Sequence, residues 1–145
     1  MSGDPDGAAP LAGVSVVELT VHRAGPLCGS LLADLGADVV KIERPGTGDP
    51  ARSQGVGPAG KSAYFTVNNR NKRSATLDLK REAGREAALE LLAAADVFVE
   101  NLGSGVADRL GVGHDDVRAV TPGIVYAAVK GYGGTGSLRE KPGWT

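Results

Sequence analysis

Five short segments rich in β-branched residues constrain this chain more than any other feature. They are 14–19 (VSVVEL), 38–43 (DVVKIE), 74–79 (SATLDL), 96–100 (DVFVE) and 124–129 (IVYAAV). Most of them lack a clean apolar–polar alternation, as expected of strands buried on both faces. The segments between them carry helical spacing, glycine-rich turns or both. Strand and helix in alternation imply a parallel sheet with helices on both faces. Right-handed crossovers make this a Rossmann-like layered α/β domain.

The helix signals have identifiable starts and stops. Pro26 suits a first helical turn, Leu27, Leu31 and Leu35 fall on one apolar face, and Gly36 suits the position past the end. Ala83, Ala87, Ala88, Leu91, Leu92 and Ala95 line one side of the longest signal, over 82–95. Ser104 can cap a short helix that Gly111 ends. Asp115 and Asp116 favour the start of another, and Thr121-Pro122 closes it. The stretch 44–61 reads as an irregular loop, and 62–67 as a short helix or a strand. The last stretch, GYGGTGSLREKPGWT, is loop-like.

The composition excludes several classes. A chain of 145 residues is one domain with room for a core. A net charge of -1 removes the usual footprint of a nucleic-acid binder. No apolar run approaches the roughly 18 residues of a membrane span. The single cysteine, Cys28, forbids an internal disulfide and a multi-cysteine zinc site. Two histidines leave little material for a metal centre. Residues 1–10 carry acids where a secretion signal needs bases, so they read as a mobile tail on a cytoplasmic protein.

Ligands of such sheets bind beyond the carboxyl ends of the strands. Those ends carry 20–25, 43–48, 100–105 and 130–136, and each contains glycine. GxGxxG is missing after the first strand, which disfavours NAD. Gly131-Tyr132-Gly133-Gly134-Thr135-Gly136 lacks the GK[ST] ending of a phosphate loop and reads as a flexible turn. Asn69-Arg70-Asn71-Lys72-Arg73 reads as a solvated basic loop; if it met Arg44 and Arg109, the three would suit an anionic nucleotide-like ligand. His22 and His114 lack a carboxylate partner nameable by spacing and read as structural or surface residues. Cys28 reads as a small core residue, and Asp34 and Asp38 as solvated or capping groups at a turn.

Certain words of the sequence carry a resemblance. PLAGVSVVELT, RAGPLCGSLLADLGADVVKIERPGTGD, SAYFTVNNRNKRSATLDLK, ADVFVENLGSGVADRLG and VKGYGGTGSLREKPGW, in this order and spacing, resemble the N-terminal part of family III CoA-transferases (the CaiB/BaiF family). The resemblance covers residues 10–145 and only the beginning of a typical member. It implies that 11–145 form an incomplete large domain of a fold in which two ring-like subunits interlock. It implies transfer of coenzyme A between carboxylic acids, or racemisation of 2-methylacyl-CoA esters, with acyl-CoA and carboxylic acid as the molecules bound and no metal. The CoA contacts it implies are Arg44, Leu77, Lys80, Asn101, Leu102, Arg109 and Leu110, with Lys130 a weaker candidate.

Two departures accompany it. Arg23 stands where such transferases commonly have a glutamine near the thioester. Gly143-Trp144-Thr145 stands where racemases carry a GHD histidine, so proton exchange is disfavoured; Thr145 replaces the acid of the transferases. The family's nucleophilic aspartate, which would pass through an anhydride and an aspartyl-CoA thioester, corresponds to no residue here. The expectation is therefore a binding segment inactive by itself, working with a homodimer partner or a complementing chain. The alternatives are a non-catalytic acyl-CoA-binding module and an assembly subunit.

Overall fold

The computed structural model describes residues 8–55, 57, 61–141 and 143. Five parallel strands run β1 (Ser15–Leu19), β2 (Asp38–Glu43), β3 (Lys72–Thr76), β4 (Val97–Glu100) and β5 (Val125–Ala128). Their order across the sheet is β3-β2-β1-β4-β5. The expected α/β class and parallel sheet are therefore what the chain adopts. Helices α1 (Ala24–Asp34), α2 (Ala63–Asn68), α3 (Glu82–Ala93), α4 (Val106–Arg109) and α5 (His114–Val120) fill the connections.

The period of two along a strand sorts the core into two layers. Val17, Ile42 and Phe98 face one side and pack with Ala88 and Leu92 of α3 and Val117 of α5. Val16, Val39 and Val99 face the other and pack with Ala33 of α1. The domain thus has helices on both faces of one sheet, and its largest fully buried side chains are Lys41, Phe98, Leu92 and Glu18.

Helix α1 departs from the expected pattern. Leu31 and Leu35 are about half exposed, and the buried side of α1 is Gly25, Pro26, Gly29, Ser30 and Ala33. The reason lies beneath it. Glu18 and Lys41 are paired neighbours on the α1 face of β1 and β2, and both are fully buried. Their long side chains occupy the space that leucines would have filled. A Cβ at Gly29 would overlap the Glu18 carboxylate, and one at Gly25 would overlap Thr20 and Asn101.

The basic run also departs from expectation. β3 begins at Lys72, two residues before the expected strand, so Lys72 and Arg73 lie inside the sheet. Arg70 forks onto Asp34, and Arg73 pairs with Asp38. Asp34 is thereby held below the usual carboxylate range by Arg70. Lys72 Nζ lies 2.9 and 3.1 Å from the Glu18 oxygens and donates to Pro26 O at 2.6 Å. Burial pulls the Lys72 pKa down, and Glu18 pulls it back up. The run divides: Lys72 is buried against Glu18, whereas Arg70 and Arg73 stay solvated at the surface and pair there with Asp34 and Asp38.

Smaller elements follow the expected rules with one exchange. Ser62 caps α2 by accepting the Phe65 N–H at 3.0 Å, which settles 62–67 as helix. Gly36 ends α1 at φ +100. Gly105, at φ +66, takes the cap of α4 in place of Ser104. Asp116 accepts the Gly113 N–H at 3.0 Å at the start of α5. No helix among the described residues is long and apolar enough to cross a membrane.

The crowding at Gly29 gives a direct test. Gly29→Ala should lower stability by about 2 kcal/mol or more, because the methyl must displace a buried ion pair. Gly123→Ala, where nothing lies within 4 Å, should change it little. Urea denaturation midpoints of the two variants measure the difference.

Candidate functional site

Strand order reverses direction between β1 and β4, the place where open α/β sheets leave a crevice at their carboxyl ends. A cavity of about 330 Å³ opens there. One wall is Leu19, Thr20 and Val21; another is Arg44, Gly48, Asp49 and Pro50; a third is Leu77 to Lys80, with Leu102 and Leu110 closing it. A second cavity, of about 560 Å³, adjoins through Leu102 and is bounded by Ala24, Asn101, Tyr126 and Lys130.

Of the residues the sequence singled out, Arg44, Leu77, Lys80, Leu102 and Leu110 meet in the first cavity. They come from the ends of β2, β3 and β4 and from the end of α4. Arg44 Nε donates to Gly48 O at 3.1 Å, which holds the guanidinium across its own turn. Its other nitrogens donate to no acceptor among the described residues. The Lys80 ammonium likewise has no such acceptor, and its backbone N–H donates to Asp78 Oδ1 at 3.2 Å.

Asn101 and Arg109 stand apart from that group. The Asn101 amide accepts the Val21 N–H and donates to Val21 O, both at 2.8 Å. It braces the end of β4 against the end of β1. Arg109 lines neither cavity; its guanidinium folds over Gly105. Lys130 turns inward and donates to Glu100 Oε2 and Leu102 O, each at 2.6 Å. Trp144 and Thr145 lie outside the described residues.

The histidines and Tyr126 have defined neighbours. His22 adopts φ +64, and its backbone N–H donates to Asp49 Oδ1 at 3.0 Å. His114 Nδ1 lies 2.9 Å from Asp115 and its ring meets the edge of Tyr126. Burial pushes the Tyr126 hydroxyl well above its usual range, and Glu100, Asp108 and Asp116 push the same way. Tyr126 is thus a neutral hydrogen-bonding group near pH 7. No cluster of acids, histidines and cysteines among the described residues could hold a metal ion.

Reading the sequence missed Asp49, Thr20 and Lys41, which underlie the first cavity. Asp49 did carry a signal: it precedes Pro50, the usual start of a helical turn. Its Oδ1 accepts the Ala51 N–H at 2.9 Å and caps a 3-10 turn over Pro50–Ser53. Chemically, the site offers apolar walls and two cations from separate loops that meet no carboxylate among the described residues. Such a surface has the shape and charge for an apolar planar group joined to anions.

Comparison with known proteins bears on this. The family model described as CoA-transferase family III matches residues 11–145. A formyl-CoA:oxalate CoA-transferase of Bradyrhizobium sp. (strain ORS 278) is 47% identical over 124 residues, covering 85% of this chain and 29% of that protein. A succinyl-CoA:glutarate CoA-transferase of Mus musculus is 42% identical over 142 residues, covering 97% of this chain and 33% of that protein. The crystal structure of a CaiB/BaiF family protein from Brucella suis superposes with a TM-score of 0.88 at 42% identity, covering 94% of this chain and 37% of that one. The chain therefore spans about a third of the length of these relatives.

One ion pair at the rim makes the site pH-sensitive. Burial would raise the Glu43 pKa, but hydrogen bonds from Arg52, Ser74 and the Asp49 N–H outweigh it and hold it at about 2. A depressed carboxylate contributes stability above its ordinary pKa and loses it as pH falls toward the depressed one. Stability should therefore decline between about pH 4.5 and 2, by up to about 3 kcal/mol at 1.4 per pKa unit. Glu43→Gln should flatten the decline in that window. Thermal melting against pH for both chains measures it.

Proposed function

The chain belongs to CoA-transferase family III, and on that footing we propose that residues 11–145 are its CoA-binding segment, part of a large domain. The observation that carries the reading is the meeting of Arg44, Lys80, Leu77, Leu102 and Leu110 in one cavity at the sheet's carboxyl edge. Leu77, Leu102 and Leu110 supply apolar walls for adenine. The Arg44 fork and the Lys80 point charge receive phosphates. Arg109 swings in from Gly105 to a further phosphate, and Asn101 keeps the two loop ends together.

The acid side of the reaction follows from the relatives. Oxalate and glutarate appear in their names, and succinate as its CoA ester; all three are dicarboxylic. We extend a dicarboxylic acid to this chain as its second substrate. Arg23 is exposed, makes no side-chain hydrogen bond or ion pair among the described residues, and directly precedes Ala24 of the second cavity. It supplies a positive charge for the far carboxylate. The aspartate that attacks the acyl-CoA in the family maps to no residue here. This chain's share of the work is to bind and orient. The nucleophile, the small domain and the interlocking partner subunit belong to sequence outside it, in a cytoplasmic homodimer or a complementing chain.

Calorimetric titration tests both halves. CoA should bind the chain, and Arg44→Ala, Lys80→Ala and Arg109→Ala should each weaken it by more than about tenfold, since charge-assisted bonds contribute about 1.5–3 kcal/mol. Absence of heat with the native chain refutes CoA binding and leaves the assembly role. Unchanged affinity in all three variants removes the cations from the site. Glutarate or oxalate should bind the CoA-loaded chain and fail to bind Arg23→Gln; binding that survives the change separates Arg23 from the acid.

A further inference from the structure

Four charged side chains lie buried beneath α1 and beside the first cavity, and CoA binding as described uses none of them. They are Glu18, Lys41, Asp49 and Lys72, and each side chain is at most 2% exposed. Lys72 is matched to Glu18 at 2.9 Å. Lys41 Nζ stands 3.3 Å from Glu18 and 3.1 Å from Asp49 Oδ2, and it donates to Thr20 O at 2.7 Å. Two ammonium groups thus balance two carboxylates in a space closed to water.

Asp49 holds an unusual place among the four. Its Oδ1 accepts two backbone N–H groups, from His22 at 3.0 Å and from Ala51 at 2.9 Å. Its own N–H donates to Glu43 Oε2 at 2.9 Å. Its Oδ2 is buried, accepts no hydrogen bond in the described structure and stands 3.1 Å from Lys41 Nζ. One carboxylate therefore joins the loop after β1, the turn after β2 and, through Lys41, the strand between them. Both loops are walls of the first cavity, with Thr20 and Val21 on one side and Arg44, Gly48 and Pro50 on the other. His22 sits at φ +64, a region that residues with a side chain adopt only when their surroundings enforce it.

We propose that Asp49 is a positioning residue: with Lys41 as its counter-charge, it sets the spacing between the two loops and so the seat of Arg44 toward an anionic ligand. The ligand half rests on the CoA reading; the loop half does not. A carboxylate facing Lys41 cannot turn without leaving that buried ammonium to a Glu18 carboxylate it already shares with Lys72. That fixes the direction of Oδ1, and Oδ1 in turn fixes His22 and Ala51. An asparagine has the same shape but meets Lys41 with an N–H, donor against cation. If it flips, it loses both backbone N–H groups. Removing Lys41 as well leaves Glu18 and Lys72 as a balanced pair, and the asparagine can then accept both N–H groups again.

Amide hydrogen exchange in the ligand-free chain tests this without CoA. In Asp49→Asn, the His22 and Ala51 amides should exchange about tenfold faster or more, while Val99 in β4 keeps its rate. In Lys41→Met/Asp49→Asn, both loop amides should return to within about threefold of the native rates. CoA affinity should fall by about tenfold in the single variant and recover in the double. The proposal is overturned if the loop amides do not respond, if Val99 speeds up with them, or if the double variant is no better than the single. Should Asp49→Asn fail to fold, a folded double variant with native loop rates upholds the proposal and an unfolded one overturns it. If the exchange pattern holds while the native chain takes up no CoA, the positioning role stands and the CoA reading falls.

Discussion

Glu18 and Lys41 face each other on adjacent strands in a place where water cannot reach, and the architecture around them follows from keeping both satisfied. An ion taken out of water costs several kcal/mol, which is recovered only with close partners and further hydrogen bonds. Glu18 has Lys41, Lys72 and the Thr20 hydroxyl; Lys41 has Thr20 O and Asp49. Removing any one member strands a buried charge, at about 3–5 kcal/mol. The network therefore contributes less to net stability than to a unique arrangement. Strands β1, β2 and β3 and the turn at Asp49 must take one relative position for every charge to be matched.

The glycines of α1 are the steric counterpart of those charges. Side chains as long as Glu18 and Lys41 lift whatever lies above them, unless the covering helix has no side chains there. Gly25 and Gly29 let α1 settle onto the sheet, with Ser30 donating to Asn68 O at 2.7 Å. The close approach brings the start of α1, and with it Arg23, down to the carboxyl edge of β1. Packing beneath a helix thus positions the loop that carries Arg23.

The layered class was legible because it rests on local signals. Strand β2 runs over the six residues expected, and β1, β4 and β5 differ by a residue or so at their ends. Strand β3 was less legible. Lys72 and Arg73 both look like solvent-facing residues; Arg73 is one, on the edge strand, but Lys72 is buried and is made acceptable there by Glu18 from another strand. The leucines of α1 misled for a similar reason. Spacing shows that Leu31 and Leu35 share a face, but burial of that face depends on what the sheet presents to it.

Sequence alone determined the alternation of strand and helix, the parallel sheet, and glycine-bearing loops at its carboxyl edge, while Leu77, Lys80, Leu102 and Leu110 were named through the family resemblance. It did so because periodicity, helix ends and right-handed crossovers depend on neighbouring residues and on chirality. Only the tertiary structure decided which cations stay available. Arg70, Lys72, Arg73 and Lys130 are bound to acids that lie from 30 to 54 residues away, whereas Arg44 and Lys80 are not. Pairing of charges across such distances is set by strand register and burial, and neither is written in the local sequence.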